Sequence, residues 1–240
     1  MEPLIDVTRL RRSCAHCTVR QDCLPAEVDA LGGGELDAFA RPHRSIDRSG
    51  RLYRSGDALT SLYVVRDGAL KTVTLAQDGE EQVLAFHLPG EILGLDALAT
   101  GLHRCEVVAL GSASVCELPF TDLTALAARS PALQQQLWRA IGRSAGRDQD
   151  HVEMLIRRQA HERIALFLYG LVERYRQTGG AAAQLLLPMS REDIGRFLGM
   201  ALETVSRGFT RLQDDGVIGV AGRRVEVRDS AELARLARQG

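Results

Sequence analysis

The sequence has little that would send it to a membrane or out of the cell. In its 240 residues no run approaches the roughly 18 apolar side chains that a spanning helix needs. Residues 1–12 mix charges with isolated apolar side chains and contain no apolar signal stretch, so the expected location is the cytoplasm, with no membrane partner. The five cysteines are odd in number and do not close a disulfide framework, which leaves thiols available to a metal. No acid–base pair or nucleophile stands out. His87, Glu91 and His103 could supply a metal-dependent barrel enzyme, but they lack tight His-x-His spacing.

An excess of either charge is also missing overall, since the net charge is −1. The balance is uneven along the chain. Residues 1–129 hold 13 basic and 18 acidic side chains, whereas residues 158–240 hold 13 and 10, all the basic ones being arginine. The second end is the one suited to face phosphate.

What is present falls into blocks. Between residues 45 and 118, turn signals recur about every 11 residues at Arg54-Ser-Gly-Asp57, Arg66-Asp-Gly68, Gln77-Asp-Gly79 and Leu88-Pro-Gly90. They separate runs rich in β-branched and aromatic residues, at 62–65, 70–75, 82–86, 107–110 and 114–118, which predicts a β-barrel or sandwich. From Pro131 the period changes. Leu133, Leu137, Ile141, Ser144, Asp148, Val152 and Leu155 recur at steps of three or four, predicting one helix over 132–158. That length exceeds what a small domain needs. The seam Leu137, Ile141, Asp148, Val152 and Leu155 therefore reads as a contact with a second copy, weakened by Asp148 facing its own copy.

The last third opens with a helix over 160–176. Next comes a capping pattern, Ser190-x-x-Asp193, then a stop at Gly199 and a second helix from about residue 201 that buries Val205, Phe209 and Leu212. Small Gly195, turn Gly199 and apolar Val205 fall where two crossing helices need close approach, a bend and a core contact: a helix-turn-helix. Glu203, Ser206 and Arg207 project from the other face with the groups needed to read base edges. The alternation of 217–227 around Gly222 predicts a hairpin carrying Arg223 and Arg224, a wing placed to touch phosphate. Double-stranded DNA is the expected partner.

Near the start, Cys14-x2-Cys17-x5-Cys23 supplies three thiolates where a metal site wants four, and Cys105 and Cys116 are the other thiols. Zinc, a structural thiol set and an iron–sulfur cluster all fit that spacing, and His16 could make a mixed site.

Set together, these stretches resemble the CRP/FNR family of bacterial transcription regulators, and within it the oxygen-sensing branch named for fumarate and nitrate reduction. The resemblance runs nearly end to end. It is carried by the cysteine arm with its following Leu-Pro, by Gly79-Glu-Glu-Gln-Val-Leu-Ala-Phe-His-Leu-Pro-Gly-Glu and by Val115-Cys-Glu-Leu-Pro-Phe. Asp148-Gln-Asp150 and Leu202-Glu-Thr-Val-Ser-Arg207 carry it further. It implies an α+β chain: a cluster-binding arm over 1–25, a cyclic-nucleotide-binding-like β-roll (a jelly roll) over 26–129, a dimerisation helix over 130–158 and a winged helix-turn-helix over 159–240. It also implies a [4Fe–4S] cluster on Cys14, Cys17, Cys23 and Cys116, with Cys105 not a ligand, and conversion to [2Fe–2S] by oxygen. The implied partners are a second copy, a palindrome of TTGAT-like half-sites and RNA polymerase, with surface loops such as 96–103 as candidate polymerase contacts. A cyclic nucleotide is not expected, because Arg104-Cys105 lies 13 residues after Glu91 and lacks the serine of nucleotide-binding relatives. His43, His87 and His103 show no spacing suggestive of haem.

Overall fold

The computed structural model describes residues 41–75, 79–157, 159–177 and 184–238. The arm with Cys14, Cys17 and Cys23 and the center of the 77–79 turn lie outside the described residues. The described chain divides into two compact units between Gly146 and Arg147.

The first unit is a two-sheet β-roll. Strands β1 (Arg41–Ile46), β8 (Ala113–Pro119), β3 (Ser61–Asp67) and β6 (Ile92–Leu93) form one sheet in that order. Strands β2 (Arg51–Tyr53), β7 (Glu106–Ala109), β4 (Leu70–Leu75) and β5 (Glu81–His87) form the other. Neighbouring strands in both sheets pair antiparallel. Side chains alternate across a strand, and β3 and β8 use both faces. Tyr63, Val65 and Val115 join Leu52, Leu70 and Val107 in the core between the sheets. Leu62, Val64, Cys116 and Leu118 point the other way, into a second apolar cluster.

Helices close that second cluster. Helix α1 (Phe120–Arg129) contributes Leu123, and the long helix α2 (Pro131–Ile156) contributes Leu133 and Ala140. Pro131 opens α2 where its missing N–H costs nothing, and the Ser130 hydroxyl accepts the Leu133 N–H at 3.2 Å. Its 26 residues span about 39 Å. The helix thus starts one residue before, and ends two residues before, the expected 132–158.

The second unit contains the last turns of α2, helix α3 (Ala160–Gln177), strand β9 (Gln184–Leu186), helices α4 (Arg191–Leu198) and α5 (Leu202–Asp214), the hairpin β10 (Ile218–Ala221) and β11 (Arg224–Val227), and helix α6 (Ser230–Arg238). The hairpin has a third strand, with β9 pairing antiparallel to β11 through Leu185 opposite Val225. Ile164, Leu168, Ile194, Val205, Leu212 and Leu233 are buried in this unit.

Candidate nucleic-acid interface

The helix pair is set by its ends. Ser190 caps α4: its hydroxyl accepts the Asp193 N–H at 3.0 Å while the Asp193 carboxylate accepts the Ser190 N–H at 2.9 Å. Gly199 ends the helix at φ 63°, a left-handed conformation that favours glycine, and the Met200 N–H returns to the Gly195 carbonyl at 2.9 Å. A Cβ on Gly195 would sit 2.6 Å from the Met200 carbonyl oxygen, so the glycine is needed for the bend itself. Helix α5 buries Val205, Gly208, Phe209 and Leu212. The Arg191 guanidinium lies 3.4 Å above the Phe209 ring and braces the two helices; burial pulls its pKa down to about 10, which leaves it charged at neutral pH.

Glu203, Ser206 and Arg207 share the exposed face of α5. Arg223 and Arg224 lie exposed at the hairpin tip, where Gly222 takes φ 63° and the Arg223 carbonyl accepts the Leu187 N–H at 2.9 Å. One side of the unit therefore offers a helix carrying an arginine fork, with an arginine-tipped hairpin in the same domain. Arg207→Ala is expected to cost about 1–3 kcal/mol of DNA-binding energy, most at a guanine position. Titration of specific and scrambled duplexes checks it, because equal losses on both would reduce Arg207 to a phosphate contact.

Two donors from outside α4 reach the carbonyls at its end. His151, on the last turns of α2, donates from Nε2 to the Phe197 oxygen at 2.6 Å and stacks on the Phe197 ring at 3.9 Å. Arg163, on α3, donates from Nη1 to the Leu198 oxygen at 3.1 Å and from Nε to the Arg157 oxygen at 2.8 Å. Burial lowers the His151 pKa, opposed by the bond to Phe197 and by Asp148, so the ring is a neutral Nε2–H donor. The sequence held no pattern that marked His151, Arg163 or Arg191; each is isolated, and only the crossing of the helices gives it a partner.

Along α2 the structure separates two faces that the spacing had merged. Leu133 is fully buried and Leu137 packs against the same β-roll cluster, so Leu137 serves the chain's own core rather than the outer seam. The exposed stripe starts one residue later: Trp138 is 64% exposed, Val152 60% and Leu155 38%, with Ile141 half-buried and Ala145 and Asp148 open between them. Residues 138, 141, 145, 148, 152 and 155 alternate steps of three and four, the heptad pattern of a coiled-coil seam. Partial burial raises the Asp148 pKa against the pull of Arg147 and His151. If a second copy lies on this stripe, Asp148→Ala removes a like-charge contact of roughly 0.5–1 kcal/mol. Sedimentation equilibrium should then show a several-fold tighter dimer.

In the β-roll, Cys116 is 5% exposed on β8, opposite Val64 of β3 and in the cluster that holds Leu133 and Ala140 of α2. Cys105 is half-buried before β7, where burial and then Asp96 raise its pKa despite Arg104, so it is a thiol of low reactivity. The two histidines of the enzyme reading have separate local partners. His87 Nε2 lies 2.6 Å from the Thr72 hydroxyl, while His103 stacks on Tyr53 at 3.7 Å and lies 3.2 Å from Asp96. Among the described residues no three His, Cys, Asp or Glu side chains gather as a metal-binding group. The Glu91 carboxylate accepts the Leu88 N–H at 3.1 Å within its own turn. Among the described residues no helix is long and apolar enough to cross a membrane.

Comparison with known proteins adds the following. Residues 43–130 match the cyclic nucleotide-binding domain and residues 162–236 the Crp-like helix-turn-helix domain. The chain is 42% identical to the transcriptional activator protein Anr of Pseudomonas protegens, over 93% of this chain and 92% of that one. It is 36% identical to the fumarate and nitrate reduction regulatory protein of Escherichia coli, over 93% of this chain and 90% of that one. Among solved structures, FixK2 from Bradyrhizobium japonicum is similar with a TM-score of 0.75 and 32% identity, covering 84% of this chain and 98% of that one. The similar proteins are regulators and not enzymes, so the barrel-enzyme reading falls.

Proposed function

The chain belongs to the CRP/FNR family of transcription regulators, and from that membership we propose that it is an oxygen-responsive, DNA-binding activator of the cytoplasm. Four thiolates, from Cys14, Cys17, Cys23 and Cys116, would hold a [4Fe–4S] cluster. The first three lie outside the described residues, and the support within the described residues is the chemistry of Cys116. It is a buried thiol on a strand flanked by β1 and β3, and an ionised sulfur in that apolar cluster is tolerable when its charge is shared with a metal. When bound, the cluster would supply the oxygen reactivity, with [4Fe–4S] and [2Fe–2S] as its intact and oxidised forms.

The remaining roles belong to the chain. Cys116 shares its cluster of side chains with Leu133 and Ala140, so a group held at Cys116 would be packed against the start of α2. That is the observation that carries the reading. Helix α2 would present the stripe from Trp138 to Leu155 to a second copy, with Asp148 keeping the dimer weak enough to be tipped. The paired recognition helices would read inverted TTGAT-like half-sites through Glu203, Ser206 and Arg207, and Arg223 and Arg224 would hold phosphate. Bound there, the dimer would recruit RNA polymerase. A cyclic nucleotide is not proposed as effector: Arg104-Cys105 offers a charge without the adjoining hydroxyl, and the backbone N–H of Arg104 is already given to the Asp96 carboxylate at 2.8 Å.

Anaerobic purification with absorption and Mössbauer spectra before and after air tests the proposal. The expected result is a coloured protein with iron spectra that change in air and with DNA binding that falls alongside. A colourless zinc protein inert to air would leave a DNA-binding regulator with a zinc or thiol site.

A further inference from the structure

The C-terminal carbonyls of a helix have no partners within it, and in α4 two of them are taken by side chains from other helices. His151 of α2 takes the Phe197 oxygen, and Arg163 of α3 takes the Leu198 oxygen while holding the Arg157 oxygen at the end of α2. These carbonyls lie immediately before Gly199, the bend whose direction sets α5 and with it Glu203, Ser206 and Arg207. The same turns of α2 carry Asp148, Val152 and Leu155, the outward stripe. His151 therefore stands between the face offered to a second copy and the hinge of the reading helix.

We propose that His151 is a positioning residue for DNA recognition: its Nε2–H bond to Phe197, with Arg163 as the second donor, sets the bend of the helix-turn-helix against the dimer helix. The inference rests on the DNA-binding reading above and adds a route by which the state of α2 reaches the base-reading face. The bond and the ring stack are separable. His151→Phe keeps an aromatic ring against Phe197 and removes the donor. His151→Gln places an amide N–H at the reach of Nε2 and removes the ring.

The experiment uses the full chain, purified without oxygen, and takes three readings on each variant. These are the dimer constant by sedimentation, the affinity for a duplex with inverted TTGAT half-sites at matched dimer fraction, and amide exchange over 199–205. His151→Phe should leave the dimer constant within about twofold, weaken DNA binding about five- to tenfold and speed exchange over 199–205. His151→Gln should restore both to near the parent. The proposal is overturned if His151→Phe binds DNA as the parent does, if His151→Gln is as weak as His151→Phe, or if the whole loss appears in the dimer constant. Arg207→Ala is run beside them. If it too binds as the parent does, the base-reading assignment fails, and amide exchange still decides whether His151 holds the bend.

Discussion

Cys116→Ala should leave the anaerobically purified protein without its iron–sulfur spectrum, with iron retention lower by at least about 10–100-fold. Three thiolates cannot complete a site that needs four. Alanine suits the position because Cys116 sits in an apolar cluster, where losing one sulfur costs about 1 kcal/mol and adds no polar group. The β-roll should keep its circular dichroism, and DNA binding should stay at the level the parent shows after air. Cys105→Ala is the matched control and should keep full iron content, since that thiol lies before another strand and is held protonated by burial and Asp96. Iron analysis and Mössbauer spectra read both variants. Parent-level iron in Cys116→Ala would remove Cys116 from the ligand set.

Gly195→Val should damage the DNA-binding unit about as severely as any single exchange in it. The added Cβ falls 2.6 Å from a backbone oxygen, that of Met200, and 3.5 Å from Val205 Cγ2, so the bend or the helix crossing must open. Overpacking of this kind costs about 1–3 kcal/mol, and each kcal/mol lowers the melting temperature of so small a unit by roughly 4–8 °C. Calorimetry should show the transition of the C-terminal unit shifted down while that of the β-roll holds, with DNA binding lost in parallel. Gly208 is a gentler case, because its Cβ would meet the end of a side chain, Ile164 Cδ1 at 2.4 Å, which has rotamers to escape into.

The parts of this fold that were legible in the sequence are those whose signals are local. The capping pattern at Ser190, the stop at Gly199 and the Gly222 hairpin each need only a few neighbouring residues, and each stands where the sequence placed it. The strands 62–65, 70–75 and 82–86 were found because β-branched runs lay between turns. Strands β1 and β2 were not, since Arg41–Ile46 and Arg51–Tyr53 carry arginines on short, edge positions with little alternation to read. Helices α1 and α6 and strand β9 were missed as well: ten, nine and three residues are too few for a period to stand out beside a long neighbour.

The site divides in the same way. The exposed positions of Arg207, Arg223 and Arg224 were legible, because the buried face of α5 and the turn at Gly222 fix which side chains are left outside. His151 and Arg163 were not, because each acts on a carbonyl more than 30 residues away. The merged seam of α2 had another cause. Leu133, Leu137 and Ile141 repeat every four residues, and such a row winds slowly around a helix of 3.6 residues per turn. It begins against the β-roll and ends facing outward, so a single stripe on paper becomes two faces on the molecule.

Trp138, the one tryptophan in the sequence, lies open on the outer of those faces. Covering it with a second copy would move its indole from water into a drier contact and shift its emission to shorter wavelength. A dimer formed on that face would report its own assembly through Trp138, with no label needed. A fluorimeter trace on dilution would then follow the separation of the copies as a change of colour.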